Sequence, residues 1–173
     1  LREYLARVEP LRAGYLTIQS VAPPSVPAEY EPSIRLSTSL AQLPNFGGNA
    51  VELLTDYAAI LDRIVADIES SRETAHLAYY IFKDDPSTAP VIAALSRAVA
   101  RGVHCRVLVD AFGSRPMIPQ LLPRLRGLGI EARVALPFRW RKPERLDLRN
   151  HRKIVVIDGR ISYTGSQNMV SPD

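Results

Sequence analysis

The chain has 173 residues, of which 46% are hydrophobic and 23% are charged, and its formal net charge is +4. This length supports one domain with a proper core, and the composition is ordinary for a soluble globular protein. A single cysteine, Cys105, excludes an internal disulfide framework and a metal site built from several cysteines. No uncharged apolar run approaches the roughly 18–20 residues that cross a bilayer, so we expect a soluble chain without a transmembrane segment.

The first part of the chain is rich in proline. Between residues 20 and 44, proline occurs at positions 23, 24, 27, 32 and 44. Such a composition predicts an extended linker, or a segment that lies along the surface of a domain. We therefore expect residues 1–48 to be an N-terminal extension and residues 49–173 to be the folded domain.

Strands and helices alternate through the rest of the chain. Apolar residues at helical spacing predict helices over residues 57–72, 88–102 and 117–128. Apolar runs predict strands over residues 51–54, 74–82, 103–110 and 130–136. The alternation predicts an α/β fold with a mostly parallel sheet and helices on both faces. Such sheets bind ligands beyond the ends of their strands.

Residues 150–168 predict a β-hairpin. A β-branched run at 154–157 and a β-rich run at 161–164 flank Asp158-Gly159, which is a strong turn signal. If that turn has two residues, Ile157 pairs with Arg160.

The same register brings four polar side chains together at the open end of the hairpin. His151 would lie opposite Ser166, and directly opposed residues share a face. Lys153 and Asn168 join them, because residues two apart on a strand point the same way. The patch then holds a nucleophile or base, a fixed cation and two neutral hydrogen-bonding groups. That set suits a phosphoryl group, whose anionic oxygens the cation and the neutral donors would hold.

Positive charge is concentrated just before this hairpin. Residues 133–153 contain eight Lys or Arg against Glu144 and Asp147. We predict an irregular basic loop at residues 137–148, in which Arg139, Arg141 and Lys142 form a basic patch for an anionic headgroup. A solvated basic loop without a ligand remains the alternative.

The spacing H-x-K-x4-D-x6-G-S-x-N resembles the HKD signature of the phospholipase D superfamily. It is matched in full by His151, Lys153, Asp158, Gly165, Ser166 and Asn168. Further stretches at residues 51–56, 76–85, 101–114 and 148–168 resemble the first catalytic half of bacterial cardiolipin synthases. The resemblance therefore covers residues 51–168, and it implies a single phospholipase D-like domain.

What the resemblance implies is a metal-free, cofactor-free, two-step phosphatidyl transfer. His151 would attack one phosphatidylglycerol and release glycerol, and a hydroxyl of a second phosphatidylglycerol would open the phosphohistidine to give cardiolipin. Lys153, with Ser166 and Asn168 beside Gly165, would hold the phosphoryl oxygens. The resemblance places Asp158 in the catalytic set as well. Asp158 is seven residues from His151 and so faces the other way on a straight strand, and we expect it to hold the hairpin together.

The resemblance also implies that this chain carries half of a catalytic unit. In the superfamily two HKD motifs meet at one site, and the second histidine protonates the leaving group. This sequence has one motif and stops five residues past Asn168. We therefore expect a domain truncated at its C-terminus and inactive as a monomer, whose partner is a second HKD half of the same parent chain or a homodimer mate. The parent would be associated with the bacterial cell membrane.

Two other functions stay open at this stage. One is a single-motif homodimeric phosphodiesterase, possibly a nuclease, whose basic segment tracks phosphates. Nucleic acid is the less expected partner. The other is a non-catalytic module that binds anionic lipid surfaces, and its binding would depend on the basic patch rather than on His151.

Overall fold

The computed structural model describes residues 25–41, 45–137 and 149–172, and the chain divides into two compact units, residues 1–53 and 54–173. The first unit contains a 3-10 turn at Ala28–Tyr30 and helix α1 at Glu31–Ala41. Pro32 lies in the first turn of α1, where its missing N–H costs no intrahelical hydrogen bond. A helix therefore occupies much of the segment predicted to be extended. The boundary between residues 48 and 49 stays a prediction.

The strand predicted at residues 51–54 is wrong, because these residues have no regular structure. The Val51 and Leu53 side chains are 94% and 87% exposed. An apolar run becomes a strand only when a neighbouring strand accepts its hydrogen bonds. This segment is not part of the sheet.

The second unit is built on a five-stranded sheet with the order β3-β2-β1-β4-β5. In chain order the strands are β1 Thr74–Tyr79, β2 His104–Asp110, β3 Glu131–Ala135, β4 Ile154–Ile157 and β5 Ile161–Thr164. The first three strands run parallel to one another. β4 runs antiparallel to β1 and to β5. The predicted α/β class with a parallel core is confirmed.

Three helices cover one face of this sheet. They are α2 Tyr57–Ser70, α3 Ala89–Ala100 and α4 Ile118–Gly127. Alternate strand residues, such as Leu77 and Val107, are buried against the apolar sides of these helices. On the other face, Leu108 is half-buried and Arg106 is exposed. Because β1, β2 and β3 are neighbours in chain order, right-handed crossovers place their connecting helices on the same side. Among the described residues, the three helices of this unit therefore lie on one face, and helices on the second face stay a prediction.

The helix ends follow local chemistry. Asp56 caps α2 by accepting the N–H of Ala59 at 2.7 Å. Pro119 falls in the first turn of α4, whereas Pro123 lies inside that helix and removes one intrahelical hydrogen bond. Gly129 follows α4 with a φ of +77°, which glycine adopts without strain. None of the helices among the described residues is long and apolar enough to cross a membrane.

The segment before β4, which carries the HKD residues His151 and Lys153, lies at the carboxyl edge of the parallel strands. β4 begins at this edge, because Ile154 pairs with Ala78 near the end of β1. β5 ends there, because Thr164 pairs with Ile154. The chain before β4 and the chain after β5 therefore meet the loops that follow β1, β2 and β3.

Candidate active site

The hairpin forms, but its register differs from the prediction by one residue. The Arg160 N–H donates to the Ile157 carbonyl at 3.0 Å, as a two-residue turn requires. Asp158 and Gly159 both have positive φ, at 51° and 63°, which is typical of a type I′ turn. The ladder nevertheless pairs Ile157 with Ile161, so Arg160 is an extra residue between the turn and β5.

This shift overturns the argument that placed Ser166 opposite His151. A one-residue slip exchanges the two faces of a strand, so the continued register sets Gln167 rather than Ser166 against His151. Residues 165 and 166 also bend away from the ladder after Thr164. Ser166 and Gly165 are exposed, and their part in binding phosphate stays a prediction.

His151 and Lys153 are in direct contact, as their spacing predicts. The Lys153 ammonium lies 3.0 Å from Nδ1 and 3.3 Å from Nε2 of His151, and it donates to the His151 carbonyl at 2.8 Å. An ammonium has no lone pair, so an imidazole nitrogen that bonds it acts as the acceptor. The lysine therefore fixes both the backbone and the ring of the candidate nucleophile, while the His151 side chain stays exposed to a substrate.

Lys153 is a buried cation without a carboxylate partner among the described residues. It is 4% exposed, and no Asp or Glu in the described part of the chain lies within ion-pair distance of it. Burial lowers the pKa of its amine below the ordinary 10.5. Because buried charges in proteins are normally paired, this arrangement favours an anion as the missing partner.

The Tyr80 ring supports the same pair from the loop after β1. Its centroid lies 4.5 Å from that of the His151 ring, and the Lys153 Nζ lies 5.4 Å from the Tyr80 centroid. Gly113, in the loop after β2, gives the ring its room. A Cβ at Gly113 would lie 2.5 Å from the Tyr80 carbonyl oxygen and 2.8 Å from two ring atoms. Tyr80 falls within the strand predicted over residues 74–82, and its contact with His151 was not predicted.

The backbone that follows Tyr80 is held from two sides. Asn168 accepts the Ile81 N–H at 3.1 Å through Oδ1. The buried Ser114 donates to the Tyr80 carbonyl at 2.9 Å and accepts the Phe82 N–H at 3.1 Å. Asn168 thus lies at the same edge as His151, with its amide nitrogen still available as a donor among the described contacts.

Asp110 joins the loop after β2 to the residue before His151. It is fully buried, and one carboxylate oxygen accepts the N–H groups of Phe112 and Gly113 at 2.8 and 3.1 Å. The other oxygen accepts the Asn150 N–H at 3.0 Å. Sequence reasoning missed this residue, although a carboxylate at the end of an otherwise apolar strand was a usable signal.

Asp158 lies at the opposite edge of the sheet from His151. Its carboxylate accepts the N–H groups of Arg72, Glu73 and Thr74 at 2.9, 2.9 and 2.8 Å. Seven residues of extended backbone separate it from His151, which is on the order of 20 Å. The structure therefore does not bring Asp158 near His151 and Lys153. The catalytic role that the resemblance implied for Asp158 is corrected to a structural role, in which it fixes the hairpin to the start of β1.

The Asp158 contacts predict an acid-dependent loss of stability. Hydrogen bonds from the Thr74, Arg72 and Glu73 backbone lower the pKa of this carboxyl below its ordinary 3.8. A carboxyl whose pKa is lower in the folded state stabilises the fold above its unfolded pKa, and this stabilisation is lost as the pH falls through the folded pKa. We expect Asp158→Asn to lower the melting temperature by several degrees at neutral pH, with the difference from wild type narrowing in acid.

Circular dichroism melts across the acid range check this, with Asp62→Asn as the control, because Asp62 is an exposed carboxylate on α2. Equal melting temperatures for the Asp158 variant and wild type at neutral pH would contradict the anchoring role.

Gly113→Ala is expected to lower kcat by about 10- to 100-fold with little change in KM, because the Tyr80 ring must move away from His151. Overpacking here should also cost roughly 1–3 kcal/mol of stability. Steady-state kinetics of the full-length protein measure the first effect and thermal melts the second. Gly127→Ala is the matched control, since its Cβ would meet nothing within 4 Å. Unchanged kcat in Gly113→Ala would show that the position of Tyr80 does not matter.

A cavity of about 690 Å³ opens beside His151. It is lined by Ala135, Leu136, Arg149, Asn150, His151 and Arg152. Leu136 has a φ of +51°, a conformation that costs a residue with a Cβ roughly 1–2 kcal/mol. The predicted basic patch, Arg139, Arg141 and Lys142, lies outside the described residues, so its part in this cavity stays a prediction. Among the described residues, no group of three His, Cys, Asp or Glu side chains is placed to hold a metal ion.

This chain is similar in sequence to a known protein family. Residues 64–171 match the family model described as "Cardiolipin synthase, PLD-like domain". The chain is 40% identical over 146 residues to Cardiolipin synthase A of Proteus mirabilis, covering 82% of this chain and 30% of that protein. It is 41% identical over 128 residues to Cardiolipin synthase A of Pectobacterium atrosepticum, covering 72% of this chain and 26% of that protein. The chain thus spans less than a third of the length of these relatives.

Two solved structures are also similar. The phospholipase D family member Nuc from Salmonella typhimurium is 24% identical, with a TM-score of 0.48, over 63% of this chain and 64% of that one. NucT from Helicobacter pylori is 20% identical, with a TM-score of 0.47, over 65% of this chain and 68% of that one. The match to the family model covers well over half of the chain and includes both His151 and Lys153. The chain therefore belongs to the phospholipase D-like family of cardiolipin synthase domains.

Proposed function

We propose that this chain supplies one histidine–lysine half of a site that transfers phosphatidyl groups between phosphatidylglycerol molecules to form cardiolipin. The observation that carries the proposal is the buried ammonium of Lys153. It contacts the exposed imidazole of His151, and it lacks a carboxylate among the described residues. A phosphodiester that binds beside His151 would supply the missing negative charge and place phosphorus next to a nucleophile.

The first step forms a bond between a His151 ring nitrogen and phosphorus of one phosphatidylglycerol. The bond from phosphorus to the glycerol headgroup oxygen breaks, and that oxygen takes a proton from an acid of the second catalytic half. In the second step a hydroxyl oxygen of another phosphatidylglycerol attacks the phosphohistidine and gives up its proton to the same group. The nitrogen–phosphorus bond breaks, which yields cardiolipin and free His151.

Lys153 stabilises the charge that develops on the phosphoryl oxygens in both steps. The amide nitrogen of Asn168 and the hydroxyl of Ser166 are the further donors in this proposal. What supports Asn168 in that task is that its Oδ1 is held by the Ile81 N–H, while none of the described contacts uses its amide nitrogen. Asp158 acts through the hairpin alone.

The proposed site needs a second acid and base, which we assign to a second histidine–lysine half in the parent protein or in a homodimer mate. As an isolated monomer the chain should therefore show little or no transfer. The two steps need a nucleophile and a separate proton donor and acceptor, and His151 serves as the nucleophile. A partner half would face the exposed side of His151.

Product analysis of the full-length protein tests this function. Vesicles of phosphatidylglycerol are incubated with wild type and with His151→Ala, and the lipids and released glycerol are quantified by mass spectrometry. The expected result is one cardiolipin per glycerol released by wild type only. Phosphatidic acid as the main product would assign hydrolysis in place of transfer, and cleavage of nucleic acid with no lipid turnover would assign a nuclease. Either result would overturn the proposal.

A further inference from the structure

Large apolar side chains are exposed beside the candidate site. In the described part of residues 54–172, three such side chains are well exposed, namely Phe112 at 54%, Leu136 at 41% and Ile161 at 41%. Phe112 and Leu136 follow the ends of β2 and β3, at the edge that carries His151. Ile161 starts β5, beside the hairpin turn at the opposite edge.

Phe112 and Leu136 each follow a residue that is hydrogen-bonded across the ends of β2 and β3. The Ala111 N–H donates to the Ala135 carbonyl at 3.0 Å, so the residues that follow leave two adjacent strands side by side. The Phe112 N–H is tied to the buried carboxylate of Asp110 at 2.8 Å. Leu136 is held in a left-handed conformation that a leucine adopts only when its surroundings impose it.

Two arginines lie beside these apolar residues. The Arg149 guanidinium lies 5.4 Å from the centroid of the Phe112 ring. Arg149 and Arg152 also line the cavity that Leu136 shares with His151. Asp110, the buried carboxylate in this region, accepts the N–H groups of Phe112 and Asn150 through its two oxygens.

We propose that Phe112 and Leu136, together with Arg149, form a docking surface for an anionic phospholipid bilayer. We call it the docking edge. The two apolar side chains would enter the boundary between headgroups and acyl chains, and Arg149 would meet a lipid phosphate. His151 and its cavity would then lie at the depth of the phosphodiesters. Nucleic acid would account for the arginines but offers no apolar layer for an exposed phenylalanine and leucine.

This inference rests on the proposed function for what happens after docking, but binding itself can be measured without turnover. Sedimentation with vesicles of phosphatidylglycerol and phosphatidylcholine compares the 173-residue chain with the double variant Phe112→Ser, Leu136→Ser. We expect the vesicle-bound fraction to fall roughly ten-fold or more. Ile161→Ser is the matched control, since it removes an equally exposed apolar side chain from the other edge, and it should bind as wild type does.

His151→Ala should also bind as wild type does, which separates this inference from the proposed function. If His151→Ala loses transfer but still binds vesicles, the docking edge is supported. If His151→Ala keeps transfer, only the proposed chemistry is overturned. Equal binding by the double variant and by wild type would overturn the docking edge. So would equal binding to vesicles of pure phosphatidylcholine, because Arg149 would then contribute nothing.

A measurement of insertion depth uses single substitutions, so that misfolding of the double variant does not decide the result. Cys105 is the only cysteine and is 4% exposed, so a nitroxide label attaches to an introduced cysteine. On vesicles containing phosphatidylglycerol, a label at Phe112→Cys should become protected from a water-soluble relaxation agent and accessible to oxygen. A label at Ile161→Cys should stay in water. A label at position 112 that also stays in water would overturn the proposal.

Discussion

Replacing His151 with alanine is expected to reduce cardiolipin formation by the full-length protein by about 10⁴-fold or more, because the reaction loses its nucleophile. The effect should appear in kcat rather than in KM, since Lys153 and the cavity still bind the phosphodiester. Lipid extraction and mass spectrometry over a time course measure it. A result within ten-fold of wild type would mean that His151 does not react.

His104→Ala is the control for this substitution. His104 is an exposed histidine at the start of β2, and its partner in the sheet is Thr74 at the start of β1, far from the edge that holds His151. The control should keep wild-type rates. Both variants should melt as wild type does, because neither side chain is buried.

Replacing Lys153 with methionine should lower kcat by about 10²–10³-fold and leave the melting temperature unchanged or higher. The loss follows from removing the charge that stabilises the phosphoryl oxygens. The stability follows from the burial of Lys153 without a carboxylate among the described residues, because an apolar side chain of similar length avoids that desolvation cost. A substitution that inactivates the protein while stabilising it would identify Lys153 as a residue kept for function.

The pH dependence provides a second readout for Lys153. Its pKa is lowered by burial, and only the charged form holds an anion, so the rate should fall as the pH rises through this lowered pKa. In Lys153→Arg the remaining activity should lack that alkaline limb, because a guanidinium stays charged throughout.

Lys83→Met, which removes an exposed lysine, is the matched control for Lys153→Met. A Lys153→Met variant with wild-type kcat would contradict the assigned role.

The contact between His151 and Lys153 could be predicted from the sequence because it depends only on strand periodicity. Residues two apart on an extended chain share a face, whatever packs around them. The α/β class was predictable for a similar reason, since buried parallel strands are continuous apolar runs and the helices between them show their own period. These features need no knowledge of how distant segments meet.

The hairpin register could not be predicted from its turn residues. Asp158-Gly159 does form the expected tight turn, but Arg160 is left over before the ladder resumes at Ile161. Nothing in the composition of residues 157–161 distinguishes a ladder that resumes at Arg160 from one that resumes at Ile161. The difference depends on which side chains of β5 the rest of the domain can bury, and Tyr163 is the half-buried residue that the observed register sets beside Val155.

The residues that support His151 were missed because their contacts are long-range. Asp110 ends β2 and Tyr80 follows β1, and both meet the segment before β4 only when the sheet brings these ends together. Gly113, in the loop after β2, acts through the room that it leaves for Tyr80. Strand direction also explains why Asp158 is far from His151. The two residues lie at opposite ends of β4, although they belong to the same motif. Spacing in a motif shows which residues occur together, whereas strand direction decides which of them meet.

In the proposed mechanism, His151 becomes covalently bonded to phosphorus during turnover. The most direct measurement mixes the full-length protein with phosphatidylglycerol, stops the reaction rapidly under alkaline conditions that preserve phosphohistidine, and maps the modified peptide by mass spectrometry. We expect one phosphatidyl group on the peptide that contains His151 in wild type and none in His151→Ala. A phosphatidyl group on another residue would show that His151 is not the nucleophile. So would cardiolipin that accumulates while the His151 peptide stays unmodified at every time sampled.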